Sequence, residues 1–148
     1  MRVKDIMTSR VETVDQEEIA EAAYNLMRLR KIHHLVVTGG GEIVGILSER
    51  DLGGRDRETQ RQRRSVASFM TPYAVKARPD MTVKEAANLM RGWTIGCLPV
   101  VDKGRLVGIV TVSDLLDLVA RGGESSSRSS GARRPAVKSD RTANPGLP

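Results

Sequence analysis

Aromatic side chains are scarce: one Trp, two Tyr and one Phe make up 3% of 148 residues. Surfaces that hold single-stranded nucleic acid stack bases on such rings, so the composition speaks against that mode of binding. A single cysteine, Cys97, excludes an intramolecular disulfide, and with two histidines there is no Cys/His zinc pattern. Its simplest role is a small buried thiol. No apolar run is long enough to cross a bilayer, and Met1-Arg2-Val3-Lys4 does not open a signal peptide. These absences lead us to expect a cytoplasmic protein with no membrane partner.

The net charge of +6 is unevenly spread. Residues 1–52 carry seven basic and nine acidic groups, and residues 66–120 six and five. The connector 53–65 has five against two, and residues 121–148 have six against two. Excess positive charge thus lies outside the apolar-patterned segments, whereas a DNA-binding domain usually carries its basic stripe on the folded unit. A nucleic-acid partner is not expected. From Gly122 the composition turns to Gly, Ser, Arg and Pro, and this basic tail is expected to be mobile.

What the chain does contain is the same stretch twice. Asp5 to Leu52 lies over Ser68 to Leu115 at an offset of 63 residues, without a gap. Met7/Met70, Thr8/Thr71, Gly45/Gly108 and Asp51/Asp114 are among the identical pairs. A gapless duplication is one supersecondary unit used twice. Two such units of about 50 residues are each too small for a good core, so they are expected to share one about a pseudo-two-fold axis.

Each copy reads as a short extended stretch, a helix, a hairpin and a second helix. Ile19, Ala22, Ala23, Leu26 and Met27 follow helical spacing, predicting a helix over 16–30 that Asp15 and Glu18 would cap. In the second copy Thr82 and Glu85 take that part, ahead of Val83, Ala86, Leu89 and Met90. Hairpin strands are expected at Leu35–Thr38 with Ile43–Leu47, and at Leu98–Val101 with Leu106–Val110. Gly39-Gly40-Gly41 and Asp102-Lys103-Gly104 between them are turn sequences. The glycines do not form a dinucleotide fingerprint, because their spacing is wrong and a strand comes next. The Arg-rich connector is expected to be partly helical. Trp93, at the end of the second copy's helix, is expected to pack against the repeat interface rather than stack on a base.

The chemistry concentrates where the second hairpin strand ends, at Ser48-Glu49-Arg50-Asp51 and Thr111-Val112-Ser113-Asp114. A hydroxyl followed three residues later by an aspartate can simply cap a helix. Alternatively, the backbone N–H groups and the hydroxyl suit a phosphate, and the aspartate suits the two hydroxyls of a ribose. The residues alone leave both readings standing. There is no catalytic constellation, so no enzyme is expected.

The Met-Thr start, the Glu-Ala-Ala-x-Leu-Met helix, the Leu-Pro-Val-Val-Asp hairpin and the Gly-Ile-Val-Thr-x-x-Asp ending resemble the CBS domain, named for cystathionine β-synthase. Two in tandem resemble a Bateman module, over residues 1–120. The resemblance implies an α+β fold, two βαββα repeats packed as a pseudo-symmetric module: repeat 1 over 1–52, repeat 2 over 66–120. It implies clefts for adenosine-containing ligands such as AMP, ADP, ATP, S-adenosylmethionine or NAD(H). Asp51 and Asp114 would then bind ribose, with Ser48 and Thr111 near phosphates. Thr13, Val14, Lys76 and Ala77 would line the adenine pockets, as would Ile32-His33-His34 and Ile95-Gly96-Cys97. In the γ subunit of AMP-activated protein kinase a His-Arg pair at this last position meets phosphate. His33 and His34 could do so here, more strongly when protonated, and so could Arg50. Val36 stands where the second copy has Pro99.

The expected function is a regulatory sensor that needs no cofactor and takes an adenine nucleotide as regulatory ligand. It is expected to pair as a homodimer and to act on a separate, unidentified protein. The alternative is a ligand-free dimerisation or scaffold module.

Overall fold

The computed structural model describes residues 1–72 and 75–122. The basic tail from residue 123 onward lies outside the described residues. The chain enters through a one-turn helix, α1 (Val3–Ile6), followed by β1 (Thr13–Asp15) and α2 (Ala20–Arg30). A hairpin of β2 (His34–Gly39) and β3 (Glu42–Ser48) completes the first copy. The connector holds a 3-10 turn at Arg55–Arg57 and then α3 (Glu58–Arg63). The second copy contributes β4 (Thr71–Pro72), α4 (Val83–Trp93), the hairpin β5 (Cys97–Asp102) and β6 (Arg105–Thr111), and α5 (Val112–Ala120). This is a mixed α+β architecture. Residues Met1–Leu115 form one compact unit.

The hairpins form for local reasons. Gly40 and Gly41 have φ of 60° and 82°, and Lys103 and Gly104 have 52° and 79°. Two consecutive positive-φ residues match the twist of a tight hairpin, and glycine reaches them without a Cβ penalty. Both hairpins carry the same register shift, between Val37 and Thr38 and between Val100 and Val101. The duplication therefore extends to irregularities of the ladder.

The two copies are not self-contained. β4 belongs to the second copy by sequence, yet it pairs antiparallel with β3 and closes the sheet in the order β1-β2-β3-β4. Conversely, Thr8 of the first copy bridges to Ile109 in β6. The residues just before obey the same rule. The Val3 N–H donates to the Met81 carbonyl at 2.8 Å, and the Val66 N–H to that of Glu18 at 2.7 Å. Val66 and Phe69 are buried with Ala23, Met27, Leu35 and Leu47 of copy one. Val3 is buried with Ala86, Met90, Leu98 and Val110 of copy two. Each copy thus gives its first residues to the other's core. A third cluster, Val36, Cys97 and Ile109 with Ile46 against it, joins the two halves.

This exchange changes one expected element. The first long helix begins at Ala20, not at residue 16, and its N-cap, Ile19, makes no side-chain cap. Asp15 instead accepts a hydrogen bond from the Glu17 N–H at 2.9 Å. The incoming segment is bonded to the stretch before Ala20, which forms a turn and a bridge instead of helix: Ala67 N–H donates to the Gln16 carbonyl, Ala20 N–H to that of Arg64, and Ile19 bridges to Ser65. The expected Asp15–Glu18 capping box does not form. Its counterpart does: Thr82 Oγ1 accepts from the Glu85 N–H at 3.0 Å, and Glu85 accepts from the Thr82 N–H at 2.9 Å.

Candidate functional site

Both Ser/Thr-x-x-Asp turns close on themselves. Asp51 Oδ2 accepts from the Ser48 N–H at 2.8 Å, and Ser48 Oγ accepts from the Asp51 N–H at 3.1 Å. Asp114 Oδ2 accepts from the Thr111 N–H at 2.8 Å, and Thr111 Oγ1 from the Asp114 N–H at 3.3 Å. Each turn is also tied to the entrance of its own hairpin. Glu49 N–H donates to the His33 carbonyl at 2.9 Å, and Val112 N–H to the Gly96 carbonyl at 3.1 Å. Since β2 pairs with β3 and β5 with β6, hairpin closure brings each turn beside its entrance. The two turns lead into different structures. Asp51 sits on a 3-10 turn, Arg50–Leu52, that stops at Gly53, whereas Asp114 lies in the first turn of the nine-residue α5.

The entrances and turns of both copies border one cleft of about 1170 Å³. Its charged and titratable lining, apart from the neutral thiol of Cys97, comes from the first copy: Arg10, Glu12, His33, His34, Glu49, Arg50 and Asp51. The second copy presents Thr71, Pro72, Val75, Trp93, Ile95, Gly96, Cys97, Thr111 and other uncharged residues. Position by position, Val75 stands for Glu12, Gly96 for His33, Val112 for Glu49 and Ser113 for Arg50. The pseudo-symmetric frame therefore encloses a cleft that is polar on one side and largely apolar on the other.

Of the residues singled out from sequence, Ser48, Arg50, Asp51, Ile32, His33, His34, Ile95, Gly96, Cys97 and Thr111 border this cleft. Five stand outside it. Thr13 and Val14 are strand residues, paired with Val36 and Val37, and border a separate hollow of about 430 Å³ with Glu17 and Glu18. Ala77 is fully buried in the core of copy two, where it bridges to Val100. Lys76 is exposed beside it. Asp114 does not border the cleft, whereas Thr111, whose hydroxyl donates to Asp114 Oδ2 at 3.2 Å, does so with Val112 and Ser113. Trp93 departs from its expected packing: it is 63% exposed at the cleft. It ends α4 beyond Met90, the last buried residue of that helix.

Sequence reasoning missed Arg10, Val11 and Glu12, which line the cleft just before β1. Strand pairing with β2 runs from Thr13, and the cleft lies against the residues that lead into it. Glu12 is placed from two directions. Its carbonyl accepts from the Val36 N–H at 3.2 Å, and its carboxylate pairs with Arg30 at 2.9 Å. Pro99 has no N–H to repeat the first contact, and Val75 has no charge to repeat the second.

The electrostatics are set by burial. Burial holds the pKa of His34 below its ordinary 6.5, the neighbouring His33 adds to this, and Asp51 opposes it. His33 is exposed, and its Nδ1 lies 2.7 Å from Glu49 Oε1. Burial, with Asp51 nearby, pushes the Cys97 thiol up to about 12, so it is a buried neutral group. Among the described residues no group of three or more potential ligands could hold a metal ion. No described helix is long and apolar enough to cross a membrane.

The CBS-domain family model matches residues 3–52 and 66–121. The chain belongs to the CBS-domain family. It is 34% identical over 119 residues to the CBS domain-containing protein YhcV of Bacillus subtilis, covering 76% of this chain and 81% of that one. The CBS domain pair of protein MJ0100, solved with 5′-methylthioadenosine and S-adenosyl-L-methionine, superposes with a TM-score of 0.71 at 28% identity, covering 81% of this chain and 96% of that one. CBSX2 in complex with AMP gives 0.68 at 29% identity, again over 81% and 96%. The fold is thus that of a CBS domain pair, and adenosine compounds bind two of its structural neighbours.

Proposed function

We propose that the cleft binds an adenosine-containing ligand and that the protein is a regulatory module rather than an enzyme. The observation that carries this reading is the cleft itself, bordered from both CBS repeats by a hydroxyl-bearing turn and a hairpin entrance. Its volume exceeds the usual range of a small-molecule site, so it has room for a nucleotide. Ser48 and Asp51 offer a hydroxyl and a carboxylate side by side. Oδ1 of Asp51 is left for a ribose, since Oδ2 takes the hydrogen bond within the turn. Arg10, Arg50 and the two histidines suit an anionic group. The Cys97 thiol, held neutral by burial, is not poised as a nucleophile.

Ligand binding would act by favouring one packing of the repeats or of paired copies, by no more than its differential affinity for the two. We propose that the chain pairs as a homodimer and passes its signal to a separate protein. A second reading has its own support. Both aspartates already complete turn hydrogen bonds, as they would in a ligand-free scaffold.

Thermal melts with AMP, ADP, ATP, S-adenosylmethionine and NADH separate the two. A ligand at a hundredfold excess over its Kd adds about 2.7 kcal/mol. The sensing reading expects one compound to do so and Asp51→Ala to remove the effect. No shift with any of the five would leave the scaffold reading, and a shift untouched by both Asp51→Ala and Asp114→Ala would remove the basis for a site at these turns.

A further inference from the structure

Arg61 is the one charged residue among the buried side chains of the described residues, 3% exposed on the short connector helix α3. A buried guanidinium is costly unless its donors are matched, and here Nε and Nη1 are. Nε donates to Glu21 Oε1 at 2.7 Å, and Nη1 donates to the carbonyls of Leu52 at 3.1 Å and Gly54 at 2.5 Å. The guanidinium carbon also lies 3.9 Å from the centroid of the Tyr24 ring. Glu21 and Tyr24 are three residues apart on α2 and so share a face.

The two carbonyls are what give this contact a use. Leu52 ends the 3-10 turn that bears Asp51, and Gly54 lies two residues beyond it. A single 3-10 turn has too few hydrogen bonds to hold its own shape. In the second repeat the turn runs on into α5, which supports Asp114 directly. That repeat has Lys84 and Ala87 at the positions of Glu21 and Tyr24, so it has no counterpart of the Arg61 seat.

We propose that Arg61 is a positioning residue for the Asp51 side of the cleft, fixing the Arg50–Leu52 turn from behind against α2. Its role in binding rests on the ligand reading above; its role in holding the turn does not. The connector between the repeats thereby becomes part of the first site, since any shift of α3 moves the backbone that carries Asp51.

Amide hydrogen exchange tests this without a ligand. In Arg61→Met the amides of Ser48 and Asp51 should exchange about tenfold faster or more, while those of Thr111 and Asp114 in the same molecule stay near wild type. Equal acceleration of both pairs would mean general destabilisation, and no acceleration would mean the turn stands alone; either result overturns the proposal. If Arg61→Met does not fold, Arg61→Lys makes the same comparison, because an ammonium beside Glu21 lacks the planar fork. Arg63→Met, on an exposed position of the same helix, should change neither pair. In an AMP titration, Arg61→Met should weaken binding by about tenfold, and unchanged affinity would remove its role in the site. Failure of the wild-type protein to bind AMP would instead count against the ligand reading and leave the exchange result standing.

Discussion

His34 of the first repeat lies against Gly96 of the second: a Cβ built on that glycine would stand 3.3 Å from Nε2 of the imidazole. The two residues do not occupy equivalent positions, since His34 corresponds to Cys97 and His33 to Gly96. The missing side chain at Gly96 is therefore the space that the histidine ring uses. Gly96→Val should push the ring toward solvent. Burial is what lowers the His34 pKa, so its NMR titration midpoint should move up toward 6.5 in this variant. A midpoint that stays where it is in wild type would mean the ring is held by something other than the fit to Gly96.

Stability should depend on pH through the same ring. Below its ordinary value of 6.5 the unfolded chain binds a proton that folded His34 resists. The unfolded state then carries more protons, and stability falls as pH drops from 6.5 toward the folded value. Below the folded value both states are protonated and this contribution is flat. Denaturant melts of wild type and His34→Gln between about pH 5 and 8 should show a slope in the first that is reduced in the second. An identical slope in both would assign the dependence to other groups. An anionic ligand beside His34 would favour its protonated form, so affinity should increase as pH falls across the same interval.

The limits of reading the sequence trace to particular residues. The hairpins were legible because Gly40, Gly41 and Gly104 mark tight turns within a few residues of chain. The duplication was legible because identical residues recur at one spacing. Exchange of the opening segments was not, because Val3 and Val66 satisfy the same pattern whether they pack on their own repeat or the other. That exchange also moved the start of α2, as the Gln16 carbonyl accepts from the N–H of Ala67, 51 residues on. Within the site, the turn residues and hairpin entrances were visible as paired motifs. Arg10 and Glu12 were not, because they belong to no motif and reach the cleft only through the fold of the chain before β1. Arg61 reads as one more arginine in a charged connector; only contacts to α2 and to the chain after Asp51 make it different.

The helix starts offer a matched comparison. Thr82→Ala should cost about 1 kcal/mol, the usual loss for an N-cap hydroxyl that accepts from the N3 amide. Asp15→Ala should cost the helix less, because α2 begins five residues later and takes no side-chain cap from it. The two variants, compared by urea melts, would reverse this order if the first helix were capped as its sequence pattern suggests.

Gly45 and Gly108 mark where the exchanged segments cross. A Cβ on Gly45 would lie 2.6 Å from the Thr71 carbonyl oxygen and 2.8 Å from Met70 Sδ. On Gly108 it would lie 3.0 Å from the Thr8 carbonyl oxygen and 2.5 Å from Met7 Sδ. The methionine can swing aside, but the carbonyl is strand backbone paired at that point, through Gly45 with Pro72 and through Ile109 with Thr8. Gly45→Ala should therefore cost about 1–3 kcal/mol, the range for overpacking a tight site. Gly108→Ala should cost somewhat less, because its backbone contact is longer. Gly92 is the control: it lies in α4 with nothing within 4 Å of a built Cβ, and alanine there should stabilise by about 0.5–1 kcal/mol. The three variants together distinguish a local crowding effect from a general cost of replacing glycine. If Gly45→Ala were as harmless as Gly92→Ala, the close crossing of β4 over β3 would be wrong, and with it the exchange of segments between repeats.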